Sequence, residues 1–136
     1  MADTTTAYLP AIANPDSLEF VSFDYPKAKG EPGTSTFGEI SIVRDTSYNG
    51  NLLVVAFWRV EPAVSPLYDI PLGDESGYVI RGSATIELLD TGETLELAAG
   101  DLYTFRKNTL TRWTIHEPFL KFVVVNDGPA AMGEPA

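Results

Sequence analysis

From Gly38 onward the chain consists of short β-branched and aromatic runs separated by turn residues about every ten positions. Runs of this length match β-strands, and the Gly, Asn and Asp residues between them favour chain reversals. No stretch has a helical period of useful length. The pattern predicts an all-β sandwich or barrel whose strands contain residues 39–44, 52–60, 78–80, 83–89, 94–97, 102–105, 111–115 and 120–125.

One hairpin can be assigned from alternation alone. Residues 84–89 alternate in polarity, and the turn residues 90–93 then lead into a second run that contains Leu95 and Leu97. Gly82 and Gly100 are interpreted as turn-forming residues that each end a strand and reverse the chain, because glycine reaches positive φ without steric cost.

The chain is long enough for one domain. Its 136 residues, 44% of them hydrophobic and fifteen of them aromatic (two Trp, six Tyr and seven Phe), exclude a disordered chain. The first 36 residues are rich in Pro, Gly, Ser and Thr and have only short apolar stretches. We therefore expect an N-terminal arm over 1–36, a barrel over 37–127 and a flexible tail over 128–136.

Charge and cysteine content limit the partners and the compartment. The net charge of −10 repels phosphate backbones and anionic membranes, so nucleic acid and membrane partners are not expected. There is no cysteine, which favours a reducing compartment, and no basic segment followed by a long apolar stretch at the start. The expected location is the cytoplasm.

Three features in order resemble the cupin superfamily, and specifically the small cupins that include ethanolamine-utilisation proteins. The first is a glutamate, six residues and a glycine, in 75–82. The second is Gly100-Asp101, a short apolar strand and a turn at 106–108. The third is Trp113, together with Trp58-Arg59-Val60-Glu61-Pro62 upstream. The resemblance covers roughly 47–127 and implies a single-domain β-barrel of the jelly-roll type.

The resemblance also implies where metal ligands would lie. Metal-binding cupins place two histidines before the motif glutamate and a third after the second motif, since imidazole and carboxylate suit transition metals. In this chain only Glu75 matches that set, and no metal or other cofactor is expected. The histidine positions fall on Tyr68 and Ile70, or on Asp69 and Pro71 in the other register, and on Thr111.

The sequence gives less support to two other kinds of metal site. His116, the sole histidine, is an odd number of residues from Thr111, so strand parity points it away from the barrel interior. An oxygen-only site for Mg²⁺ or Ca²⁺ would need Asp69, Asp74 and Glu75, but neighbouring strand residues face opposite ways.

Glu75 is the leading candidate for a catalytic group. In an apolar barrel interior, which we call the cup, loss of water is expected to raise its pKa toward the range useful for a general acid or base. Tyr68 is predicted to assist it by orienting a substrate oxygen. The remaining predicted substrate-binding residues are Asp69, Ile70, Tyr103, Thr111 and Trp113. The alternative for Glu75 is a structural ion pair with Arg59, Arg81 or Arg112.

These observations leave three functions open. The first is a metal-independent isomerase, cyclase or lyase that uses Glu75 for proton transfer. The second is a non-catalytic ligand-binding or accessory protein, and the third is a carboxylate-metal enzyme. In each case the partner is a small-molecule ligand or substrate. The resemblance also implies a homodimer that pairs through the outer sheet and the N-terminal arm.

Overall fold

The computed structural model describes residues 12–128, and this part of the chain is built from seven β-strands. Two short 3₁₀ turns, Pro15–Ser17 and Ala28–Gly30, accompany them. The predicted all-β class is therefore confirmed. The strands are β1 (Val21–Pro26), β2 (Thr34–Thr46), β3 (Leu52–Val60), β4 (Asp74–Leu88), β5 (Glu93–Ala98), β6 (Leu102–Phe105) and β7 (Thr111–Asp127).

All strand pairs are antiparallel, and they form one sheet in the order β1-β2-β3-β7-β4-β5, with β6 also paired to β4. The two longest strands, β4 and β7, lie side by side over most of their length. β6 pairs with the first part of β4 and β5 with its last part. No helix in residues 12–128 has the length and apolar character needed to cross a membrane.

The interpretation of Gly82 as a chain reversal is wrong. β4 continues through this residue, which has a φ of 92° and lies at a register shift between β4 and β7. A Cβ at this position would lie 2.8 Å from the Cα of Phe119, so glycine is required for the close approach of the two strands. The break is a bulge that bends β4, and β7 likewise joins two predicted runs into one strand.

The predicted hairpin is confirmed, because Ala84 pairs with Leu97 and Ile86 with Leu95. Gly100 has a φ of 94° and lies in the turn between β5 and β6, as predicted.

The inward faces of the strands form one hydrophobic core with many aromatic rings. Trp113 lies at its centre, with ring centroids 6.1 Å from Trp58, 5.5 Å from Tyr103 and 6.2 Å from Phe119. Trp58 and Trp113 also form part of the wall of an open cup inside the barrel.

The N-terminal segment contributes a strand to the sheet. β1 pairs with β2 along its length, and β2 runs through the predicted boundary between residues 36 and 37. The division into an arm, a barrel and a tail remains a prediction. Residues 1–11 of the arm and 129–136 of the tail lie outside the described residues.

Candidate functional site

The cup is a cavity of about 320 Å³, at the small end of the range for ligand pockets. Its walls come from β1, β2, β3, β4, β7 and the 61–73 loop, and most of its lining side chains are aromatic or aliphatic. The ionisable groups that line it are Asp24, Tyr25, Tyr68, Glu75 and Lys121. The cup is thus an apolar cavity with a few charged and hydroxyl groups in its wall.

The Glu75 carboxylate is buried, with 3% of the residue's surface exposed, and it accepts hydrogen bonds from three side chains. The Tyr68 hydroxyl donates to Oε1 at 2.8 Å, and the Tyr103 hydroxyl donates to Oε2 at 2.6 Å. Lys121 Nζ donates to the same Oε2 at 3.1 Å and to the Tyr103 hydroxyl at 2.5 Å. Lys121, Tyr103 and Glu75 therefore form a closed triangle of hydrogen bonds.

Local structure brings these side chains together. Glu75 lies on β4 between Phe105 of β6 and Val125 of β7, and it points inward. Tyr68 is fixed by an isolated bridge in which its backbone N–H donates to the Thr111 carbonyl at 2.9 Å and its carbonyl accepts from Thr111 N–H at 2.8 Å. The loop that carries Tyr68 is thereby tied to the start of β7.

Lys121 is the main site residue that the sequence analysis missed. It is 5% exposed, and its ammonium lies 4.3 Å from the ring centroid of Trp113 and 4.7 Å from that of Trp58. The signal was present in the sequence, since Lys121 shares strand parity with the apolar Phe119 and Val123. A lysine on the inward face of an apolar strand needs a partner, and here the partner is Glu75.

Glu75 does form an ion pair, but its partner is Lys121 and not one of the three predicted arginines. Each of the three arginines binds another carboxylate near the surface. These pairs are Arg59 with Glu39, Arg81 with Asp16, and Arg112 with Glu87.

The expected direction of the Glu75 pKa was also wrong. Burial alone would raise it, but the Lys121 ammonium and the hydrogen bonds from Tyr103 and Tyr68 together hold the pKa of Glu75 below its ordinary value. Burial lowers the pKa of Lys121, and Glu75 opposes that shift. Burial and the neighbouring carboxylate raise the pKa of Tyr68 and of Tyr103 well above the ordinary value. At neutral pH Glu75 is ionised and both tyrosines are neutral donors.

The other predicted substrate-binding residues are split between the cup and its surroundings. Trp113 lines the cup. Thr111 is buried behind it, where its hydroxyl donates to the Tyr68 carbonyl at 2.8 Å and accepts from the Trp113 indole N–H at 3.2 Å. Asp69 accepts a hydrogen bond from the Lys29 backbone N–H at 3.2 Å and does not line the cup.

Ile70 is a core residue with an unusual backbone. It is 1% exposed and has a φ of 52°, a conformation that is strained for a β-branched side chain. Its carbonyl accepts from the Asn108 N–H at 3.1 Å, which holds the 61–73 loop against the turn after β6. Neither Ile70 nor Tyr103 lines the cup. Tyr103 is connected to the cup only through Glu75, to which its hydroxyl donates.

The donor set does not fit a metal ion of the kind that metal-binding cupins hold. Glu75 is already neutralised by the Lys121 ammonium, and Thr111 and Ile70 offer no imidazole. His116 is exposed and hydrogen bonds the Thr85 hydroxyl at 2.7 Å, so it points outward as parity predicts. Asp74 accepts from the Lys107 N–H, away from Glu75. Within residues 12–128 no three His, Cys, Asp or Glu side chains cluster as metal ligands would.

Comparisons with solved structures agree on the fold. An uncharacterised protein with a double-stranded β-helix domain from Klebsiella pneumoniae is 24% identical, with a TM-score of 0.60 over 90% of this chain and 95% of that one. KdgF from a Halomonas species is 22% identical, with a TM-score of 0.56 over 83% and 92%. A putative ethanolamine utilization protein Q from Salmonella typhimurium is 14% identical, with a TM-score of 0.57 over 83% and 99%.

No curated protein matches the sequence significantly. The model of the EutQ-like cupin domain matches residues 54–122, which is half of the chain and contains β4 to β6 and most of β3 and β7. The jelly-roll barrel implied by the sequence motifs is therefore confirmed, and the chain belongs to the EutQ-like cupin family.

Proposed function

We propose that this cupin binds a compact, mostly apolar small molecule and catalyses metal-independent proton transfer on it, as an isomerase, cyclase or lyase does. The observation that carries the proposal is the hydrogen-bonded triangle of Glu75, Lys121 and Tyr103 beside an apolar cup. Both charged members of the triangle line the cavity, so a bound molecule meets them directly.

The energetic cost of this arrangement supports a role beyond folding. Taking two charges out of water costs several kcal/mol per ion, and apolar residues of similar volume often serve a core as well or better. The Glu75–Lys121 pair is nevertheless buried at a ligand-sized cavity. Perturbed, paired titratable groups in such cavities are typical of catalytic sites.

The chemistry assigns a role to each group. Glu75 is ionised and acts as the base that takes a proton from a substrate carbon next to a carbonyl. Lys121 stabilises the negative charge that develops on the carbonyl oxygen. Return of the proton from Glu75 to another atom of the same substrate gives an isomer. Tyr68 and Tyr103 are positioning residues, because their hydroxyls hold the carboxylate.

One observation favours a non-catalytic binding protein instead. Glu75 already accepts three hydrogen bonds, and its lowered pKa weakens it as a base. Such a protein would use the cup only to hold its ligand.

Exchange of carbon-bound protons separates the two functions. Wild-type protein is incubated with cyclohexanone or acetophenone in heavy water, binding is measured by NMR titration, and deuteration next to the carbonyl is followed in the same samples. The enzyme proposal expects exchange that Glu75→Gln slows by about 10²–10⁴-fold. Glu87→Gln, which removes a surface carboxylate, is the matched control. Binding without exchange would support the binding protein.

We also propose a homodimer in the cytoplasm. Residues Phe57, Phe122, Tyr78 and Leu102 form a row across β3, β7, β4 and β6, and we call this row the outer apolar row. Tyr78 is 46% exposed and Leu102 is 72% exposed. A chain with a net charge of −10 meets a copy of itself with least repulsion at such an uncharged face. A reducing compartment fits the absence of cysteine.

A further inference from the structure

The chain has four lysines, all within residues 12–128, and Lys121 is the one that is buried. Its side chain is 7% exposed and forms part of the wall of the cup. The other three, Lys27, Lys29 and Lys107, are exposed. A molecule in the cup therefore meets one lysine, and the surroundings of this lysine differ from those of the rest.

These surroundings hold the nitrogen of Lys121 in place. Its Nζ lies 4.3 Å from the ring centroid of Trp113 and 4.7 Å from that of Trp58. It donates to the Tyr103 hydroxyl at 2.5 Å and to Oε2 of Glu75 at 3.1 Å. A group fixed in this way reacts with a bound molecule without first losing its own freedom of movement. Lys121 thus places a nitrogen at one point of the cup wall, beside a carboxylate.

The apolar wall also favours the reactive form of this lysine. The neutral amine is the nucleophilic form, and loss of water around the side chain disfavours the ammonium. Burial lowers the pKa of Lys121, so free amine is a larger fraction at neutral pH than for an ordinary lysine. The carboxylate of Glu75 is close enough to accept the proton that the ammonium gives up. The amine and its proton acceptor are therefore both in position.

We infer that Lys121 is a nucleophile that forms an imine with an aldehyde or ketone bound in the cup. The inference rests on the proposed function of the cup. It narrows the substrates to carbonyl compounds that condense with amines, which carboxylates, esters and amides do not. The ammonium first attracts the carbonyl oxygen, as proposed above, and the amine then bonds to the carbonyl carbon.

The step balances in atoms and in charge. Glu75 takes one proton from the Lys121 ammonium, and the nitrogen lone pair bonds to the carbonyl carbon while the π electrons move to oxygen. A proton passes from nitrogen to that oxygen and gives a carbinolamine. Glu75 then returns its proton to the hydroxyl group, the carbon–oxygen bond breaks and one water leaves. The product is a protonated imine beside an ionised Glu75, so the buried charge pair is kept.

An imine on Lys121 makes Glu75 a sufficient base. The lowered pKa of Glu75 makes it a weak base for a proton next to a simple carbonyl group. A protonated imine withdraws electrons more strongly than a neutral carbonyl, and the neighbouring carbon-bound protons become more acidic. Loss of such a proton gives a neutral enamine, so no negative charge builds up in the apolar cup. Lys121 thus acts on the carbonyl carbon and Glu75 on the carbon next to it.

Reductive trapping tests the imine in the unmodified protein. Wild type is incubated with cyclohexanone and sodium cyanoborohydride at neutral pH, where the reagent reduces a protonated imine to a stable secondary amine much faster than it reduces the ketone. Peptide mapping by mass spectrometry then locates the cyclohexyl group. We expect Lys121 to carry at least about ten times more of it than any exposed lysine, the excess of free amine that one pKa unit gives. An even distribution over the four lysines would refute the inference.

Two variants connect the imine with proton transfer. Lys121→Arg keeps a cation beside Glu75 but removes the amine, so exchange next to the carbonyl in heavy water should fall to the rate without protein. Exchange at the wild-type rate would show that Lys121 acts only through its charge. Lys107→Met removes an exposed amine paired with Asp127, and both trapping and exchange should stay as in wild type. Trapping in wild type needs no variant, so it decides the matter even if Lys121→Arg does not fold.

The combined results separate the imine from the proposed function. If cyclohexanone exchanges its protons through Glu75 and no adduct is trapped, the imine is wrong and proton transfer in the cup stands. An adduct on Lys121 without exchange would support the imine and refute the proton transfer. Binding of cyclohexanone in an NMR titration with neither adduct nor exchange would refute both reactions and leave a binding protein. If no binding is detected and no adduct forms, ligand binding by the cup fails as well.

Discussion

The ring of Tyr103 lies directly against the backbone of Gly77, its partner in the pairing of β6 with β4. A Cβ at position 77 would lie 2.6 Å from the Tyr103 hydroxyl oxygen, far inside van der Waals contact. The missing side chain leaves the space through which that hydroxyl reaches Glu75, the preceding inward residue of β4. Gly77 is therefore part of the geometry of the site, although it carries no chemical group.

We expect Gly77→Ala to displace the Tyr103 ring and lower the free energy of unfolding by about 1–3 kcal/mol, the usual cost of overpacking a core. In a Tyr103→Ala background the same change should cost much less, because the new methyl group then has room. Urea unfolding of the four proteins in this cycle measures the coupling. An equal cost in both backgrounds would show that Gly77 is needed for another reason.

Removal of the Lys121 charge tests the buried pair. Lys121→Met should lower the free energy of unfolding by about 3–5 kcal/mol, because Glu75 is left in the interior without a cation. The double variant Glu75→Gln/Lys121→Met should be more stable than Lys121→Met, since no buried charge remains. Arg112→Met, which breaks an exposed pair with Glu87, is the control and should change stability little. A double variant less stable than Lys121→Met would refute this account of the pair.

The strands could be predicted from the sequence, but their lengths could not. Alternation and turn residues locate β3 and β6 at their observed bounds, since these strands are regular and end at clear breaks. β4 and β7 each appeared as two strands. In β4 the reason is that a glycine at a bulge has the same sequence pattern as a glycine in a turn. In β7 the polar residues and the proline of 116–118 interrupt the apolar pattern, although the strand continues through them. Only the partner strand distinguishes the two, and in β4 the position of Gly82 depends on Phe119 of β7.

The residues of the candidate site were also only partly predictable from the sequence. Glu75, Tyr68 and Trp113 were identified as cup residues because a motif or strand parity points them inward. Lys121 and Tyr25 were missed, since parity says that a residue faces inward but not which group it meets. The contact between Lys121 and Glu75 joins residues 46 apart, and it reverses the pKa shift expected from burial alone.

The outer apolar row makes a prediction about assembly. Wild-type protein should have twice the mass of one chain in light scattering, and Leu102→Glu should have the mass of one chain. A charge placed in the row costs solvation at an interface and repels its copy. Tyr48→Glu, at an exposed position outside the row, should leave the mass unchanged. A monomeric wild type, or a Leu102→Glu variant that remains dimeric, would rule out this surface as the interface.

The lowered pKa of Glu75 makes stability depend on pH in acid. The folded state holds Glu75 ionised below the ordinary glutamate pKa of about 4.3, so the unfolded state binds more protons in that window. The contribution of Glu75 is complete above that pH and is lost as the pH falls through the folded pKa, with a slope of up to about 1.4 kcal/mol per pH unit. Urea unfolding over a series of pH values should show a steeper acid loss in wild type than in Glu75→Gln. Exposed carboxylates with lowered pKa values, Asp16, Asp24 and Glu87, are shared by both proteins and give the same background in each. Parallel curves for the two proteins would mean that Glu75 titrates at its ordinary pKa and that Lys121 does not hold it ionised.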